Sequence, residues 1–192
     1  MTSGRIKPLF ILAVLPWIAW AGSPDSFEAI LEGIDTPRGV SIPFVEKRQN
    51  SLLDEPLVLT GEVIFDHDGR LSKIVEIPFR ERVTISRDAV ELEREGRTKR
   101  LSLRRKEDVG AFYVALRALL EGDAKTLLDL FEVETAIDGG CWTIMLVPDA
   151  GPLSEFLESM TISGSAAQVS RIRTVHFDGN WQELSFNADP AE

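Results

Sequence analysis

Residues 57–79 read LVLTGEVIFDHDGRLSKIVEIPF. Through the first nine, the apolar period is two. Leu57, Leu59, Gly61, Val63 and Phe65 fall on one face, and Val58, Thr60, Glu62 and Ile64 on the other, which is the pattern of a strand with one strongly apolar side. Asp66-His67-Asp68-Gly69 is a turn, because Asp-Gly between alternating runs is a strong hairpin signal. The return strand sets Leu71, Val75, Ile77 and Phe79 on one side, with Lys73 among them. A hairpin with so apolar a face has to bury it against another layer.

The same rhythm continues downstream. Val83 and Ile85 make a third strand, Val90 and Leu92 a fourth, and after a Glu95-Gly96 turn Lys99, Leu101 and Leu103 suggest a fifth. Strands this short and evenly spaced predict a meandering antiparallel sheet that curls. Upstream, Asp25 or Ser26 caps a short helix carrying Phe27, Ile30, Leu31 and Ile34, and Thr36–Gly39 breaks it. Phe44 to Leu53 reads as helical, closed by Pro56. Beyond the sheet, Val109, Phe112, Leu116 and Leu119 form one helical stripe starting near Glu107; Gly122 ends it and Asp123 caps a second short helix. Strands resume at Phe131–Ile137 and Trp142–Val147 across a Gly139-Gly140 turn. A third short helix fits Pro152 to Met160, and Val169–Phe177 and Trp181–Phe186 close the chain around Asp178-Gly179-Asn180. The fold class expected is α+β: an incomplete antiparallel β-barrel, or curved sheet, with short helices.

The first 21 residues read as an export signal. Arg5 and Lys7 precede an apolar stretch from Pro8 to Trp20, too short to span a bilayer, which takes about 20 apolar residues. Ala19-Trp20-Ala21 supplies the small residues of a cleavage site. The expected organisation is therefore a cleaved signal peptide over 1–21 and a single exported domain over 22–192. With 31 acidic against 21 basic residues the net charge is −10, which argues against a nucleic-acid partner and against electrostatic adhesion to anionic lipid.

Little in the chain points to catalysis or metal. The single cysteine, Cys141, cannot form an intrachain disulfide and reads as a small buried residue; two histidines add little ligand material. The Asp66-x-Asp68-Gly69 stretch fails as a calcium loop because its twelfth position falls on Ile77 where a bidentate Glu is required. His67 and His176 have no nucleophile or acid in a recognisable pattern, and no Gly-rich phosphate loop or nucleophile elbow occurs. No catalytic residue, cofactor or metal is expected.

An ordered series of short motifs carries a resemblance. Phe44-Val45-Glu46-Lys47-Arg48 is followed by Pro56-Leu57, then Gly61-Glu62-Val63-Ile64-Phe65, then Gly69-Arg70-Leu71-Ser72-Lys73 and Pro78. This succession resembles the periplasmic outer-membrane lipoprotein carrier family (LolA-like), in a divergent branch with Lys73 where better-known members have Trp. The resemblance implies a periplasmic protein, a half-closed barrel whose short helices lid an apolar cavity. It further implies a carrier that shields acyl chains of a lipoprotein or other lipid-linked cargo, receiving them from an inner-membrane donor and passing them to an outer-membrane acceptor. A sensor or adaptor on the same scaffold is the alternative. A monomer is expected.

On this reading Leu59, Val63, Phe65, Leu71, Val75, Ile77 and Phe79 are the candidate cavity wall if the odd-numbered face turns inward; if it turns outward, Val58 and Ile64 take their place. Lys73 is either a strand-end charge snorkelling to water or a polar anchor at the cavity mouth, with Glu76 and Glu81 as its possible partners. Arg48 is either a helix-surface charge or one half of an internal pair.

Overall fold

The structure is a computed structural model that describes residues 24–103 and 107–188; the expected signal peptide lies outside them. Among the described residues, eleven strands form one antiparallel sheet: β1 (Ser41–Gln49), β2 (Leu57–Phe65), β3 (Leu71–Ile77), β4 (Glu81–Ile85), β5 (Ala89–Arg94), β6 (Arg97–Ser102), β7 (Phe131–Asp138), β8 (Cys141–Pro148), β9 (Leu157–Ser165), β10 (Gln168–His176) and β11 (Trp181–Phe186). Their order across the sheet is β6-β5-β4-β3-β2-β1-β11-β10-β9-β8-β7. Two hairpin meanders are thus joined where β11 returns to β1, and the sheet stays open between β6 and β7. The chain bridges that gap through α2 (Glu107–Glu121) and α3 (Ala124–Leu128), while α1 (Pro24–Gly33) precedes β1.

Turn chemistry sets much of this. Glu95 and Gly96 both take positive φ, as a two-residue hairpin turn between right-twisted strands needs. Gly61 answers a different constraint. A Cβ there would lie 1.9 Å from the Ile74 carbonyl oxygen, because the β2–β3 ladder slips by one residue between Thr60 and Gly61 and brings the backbones together.

Three apolar clusters lie on the helix-covered face. Phe27 and Leu31 of α1 and Ala115, Ala118 and Leu119 of α2 pack with Phe131, Ile144, Leu146, Met160 and Ile162 of the second meander. Leu116 and Leu120, on the other flank of α2, pack with Phe65, Leu71, Ile85 and Val90 of the first. Phe44, Leu59 and Val75 make the third, with Phe186 against them.

Several expectations are corrected. Residues 41–49 form a strand, not a helix, so Phe44, Glu46 and Arg48 share a face opposite Gly61, Leu59 and Leu57. Pro43 sits in this strand without breaking the sheet because pairing to β11 begins only at Phe44. The helix expected over 152–160 is one 3-10 turn at Pro152–Glu155, after which β9 begins at Leu157. Asp25 and Ser26 lie within α1 rather than capping it. Cys141 is exposed, at the tight Gly139-Gly140 turn.

Candidate functional site

The three clusters do not close on one another completely. Between them lies a cavity of about 250 Å³. Its sheet wall is built from Ile42, Val63, Phe65, Leu71, Ile172 and Phe186. Leu119 and Leu120 of α2 cover it, and Ile34, Pro37 and Val40 close one end. That end is a strap running from α1 to β1. The Asp35 amide donates to the Ala167 carbonyl at 2.8 Å and the Gly39 amide to the Phe65 carbonyl at 2.8 Å. The Arg38 guanidinium stacks over the Phe65 ring at 4.5 Å. Polar groups (Asp35, Thr36, Ser41, Gln168 and Asn187) stand around the apolar lining. A larger groove of about 690 Å³ runs along β3–β5, but it is open and edged with Glu62, Glu76, Arg82, Glu93 and Glu95, chemistry unsuited to an alkyl chain.

The candidate wall residues divide. Val63, Phe65 and Leu71 line the cavity. Leu59 and Val75 share their face but are packed solid in the neighbouring cluster. Phe79 lies beyond the end of β3, packed on that cluster with the Arg94 guanidinium over its ring at 4.2 Å. Ile77 leaves the face altogether: the ladder slip pairs it with Thr60, and it is 62% exposed. Val58, of the opposite parity, is exposed.

Beside the cavity the same concave face carries a buried ion cluster. Glu46 is fully buried. Its Oε1 accepts from Arg48 Nη2 at 3.0 Å and Nε at 3.2 Å, and its Oε2 accepts from Lys73 Nζ. Lys73 sits mid-strand and reaches across β2 to β1, passing over the Phe44 ring at 5.2 Å. It is not a strand-end charge; Glu76 is exposed, while Glu81, 3.8 Å from Arg94, adds a weaker favourable field to that of Glu46. Burial pushes the Lys73 ammonium below the ordinary lysine range, against the opposing pull of Glu46. Arg48 holds an internal pair, within the sheet rather than between helix and sheet. Both cations pair with Glu46, so the cluster ties β1 to β3 beside the cavity.

Glu46, the acid at the centre, escaped the sequence reading, because assigning 44–53 to a helix hid its alternation with Phe44 and Arg48. A helical lid was expected, but its lining residues Leu119 and Leu120 were not named, and the contributions of β10 and β11 were missed. Their signal was the parity of Ile172, Leu184 and Phe186, which becomes informative only once β11 is known to pair with β1.

The family profile described as "Outer membrane lipoprotein carrier protein LolA-like" matches residues 21–190. The chain belongs to this LolA-like family. No curated protein sequence matches it. Among solved structures it is similar to the LolA superfamily protein NE2245 from Nitrosomonas europaea, at 7% identity and TM-score 0.44, over 88% of this chain and 93% of that one. It is similar to LprF from Mycobacterium bovis at 14% identity and TM-score 0.41, over 90% and 96%. It is also similar to a chain of the Pseudomonas aeruginosa MucA/MucB complex at 12% identity and TM-score 0.44, over 88% of this chain and 58% of that one. Among the described residues of this LolA-like chain, no helix is long and apolar enough to cross a membrane, and no group of three or more His, Cys, Asp or Glu is placed to hold a metal ion.

Proposed function

We propose that this LolA-like chain is an envelope carrier that shields an acyl chain of a lipoprotein or other lipid-linked cargo while it crosses the aqueous space between inner and outer membrane. The observation that carries this reading is the unfilled apolar cavity between α2, the strap and the sheet, in a chain of this family. Its volume of about 250 Å³ holds about eight groups of water size, at ~30 Å³ each. Eight buried methylenes are worth about 6 kcal/mol relative to water, at ~0.8 kcal/mol each. That is enough to retain part of one chain and small enough to let it go to a membrane or a second protein.

A fluorescent acyl probe tests this. Wild type takes up the probe, and Val63→Glu, which puts a carboxylate into the wall, abolishes uptake with the far-UV circular dichroism unchanged. Should Val63→Glu fail to fold, Val169→Trp fills the same space from β10. Unchanged affinity in a folded variant would remove the cavity from the function.

A further inference from the structure

The two free edges of the sheet carry opposite, unanswered charge. On β6, Arg97 and Lys99 are exposed and have no ion-pair partner among the described residues. On β7, Glu132 and Glu134 are exposed and likewise without one. Net charge does not explain the contrast, because a basic edge strand stands out in a chain of net charge −10. Edge protection alone explains it poorly. A lysine on an edge discourages pairing, but basic and acidic edges on one molecule attract each other in a second copy.

The hydrogen-bond phase makes the two edges fit. The Leu103 amide bonds to the Asp88 carbonyl and Leu101 pairs with Val90, so the odd-numbered residues of β6 spend their backbone groups on β5. Thr98, Arg100 and Ser102 therefore turn their amides and carbonyls to the open edge. On β7 the Asp149 amide bonds to the Leu130 carbonyl and Asp138 pairs with Cys141, so the even-numbered residues spend their backbone groups on β8 and Phe131 and Val133 turn theirs outward. An antiparallel β6–β7 ladder between copies must match outward groups with outward groups. That sets Arg97 and Lys99 opposite the even-numbered residues of β7, and one register places Arg97 against Glu134 and Lys99 against Glu132. Both would be the close, non-hydrogen-bonded pairs, where cross-strand charges interact best.

We propose that copies of this chain associate head to tail by adding β6 of one to β7 of the next. The contact is heterologous, so it extends into short chains rather than closing as a two-fold dimer, and the monomer expected from sequence is then the dilute, high-salt state.

Sedimentation velocity over increasing concentration, at 20 mM and 300 mM salt, tests the proposal. Wild type should associate reversibly at low salt, with the apparent Kd raised at least ~tenfold at high salt, where the screening length falls below about 8 Å. Arg97→Glu/Lys99→Glu and Glu132→Lys/Glu134→Lys should each be monomeric alone, and an equimolar mixture should associate again. Both variants stay net negative, so nonspecific attraction cannot produce that rescue. Thr98→Pro, which removes an outward amide without changing charge, should also abolish association. A wild type that stays monomeric at low salt, or a mixture that does not rescue, overturns the proposal. So does binding to anionic vesicles that is lost in Arg97→Glu/Lys99→Glu without any self-association, which would assign the cations to a membrane.

Discussion

Replacing Glu46 by glutamine removes the charge that two cations share while keeping the side chain's shape. Glu46 is fully buried, whereas Lys73 and Arg48 keep 20% and 34% of their side-chain exposure. Breaking a buried pair by deleting one partner costs roughly 3–5 kcal/mol, most of it the charge left stranded in low dielectric. Here both stranded cations retain a route to water, so the low end applies, about 3 kcal/mol. In a domain of this size 1 kcal/mol moves Tm by about 2–4 °C, so Glu46→Gln should melt roughly 6–12 °C below wild type by calorimetry. The companion variant removes all three charges at once, as Glu46→Leu/Arg48→Met/Lys73→Met. It should recover most of that loss, because an apolar replacement of a buried ion cluster is commonly neutral or stabilising. If Glu46→Gln melts within 1 °C of wild type, or the triple variant is no better than the single, the cluster is solvated and does not clamp β1 to β3.

Other outcomes follow from the same geometry. Leu59→Ala should cost about 2–5 kcal/mol in urea unfolding, whereas Ile77→Ser, on the exposed side of the ladder slip, should stay within about 0.5 kcal/mol. Gly61→Ala should disrupt the β2–β3 pairing, read as loss of amide-exchange protection at Ile74 and Val75, since its methyl has no room beside the Ile74 carbonyl. The Asp123 carboxylate accepts from the Thr126 hydroxyl and amide, which holds its pKa below the ordinary value of 3.8. A depressed acid stabilises the folded state above its unfolded pKa and loses that contribution as pH falls through the folded one. The Thr126 amide should therefore lose exchange protection below pH 3.8 and keep it above, and Asp123→Ala should abolish the pH dependence.

The parts of the fold that could be read from the chain were those in which turn chemistry and a period of two agreed. The hairpins around Asp66–Gly69, Glu95-Gly96 and Asp178–Asn180 all form where the residues put them. The failures have physical causes. Ser41–Gln49 carries a proline and three charged residues, and its alternation becomes visible only once a carboxylate is known to be buried with its cations. In β9 the burial of Leu157 and Met160 is three residues apart, a helical spacing produced by a β-bulge against β10. Ile77 kept its parity in sequence and lost it to the ladder slip at Gly61. Of the cavity, the β2–β3 wall and a helical lid were legible; which residues of α2 face it, and the parts of the strap, β10 and β11, are set by long-range packing that no local pattern records.

The most direct test of the account is chemical. Protein purified from its native envelope, then extracted with organic solvent and examined by mass spectrometry, should yield an acylated molecule in near-stoichiometric amount, and the Val63→Glu protein prepared in parallel should yield none. Clean extracts from both, together with no uptake of added acyl probe by wild type, would contradict the claim that the space under α2 exists to hold an alkyl tail.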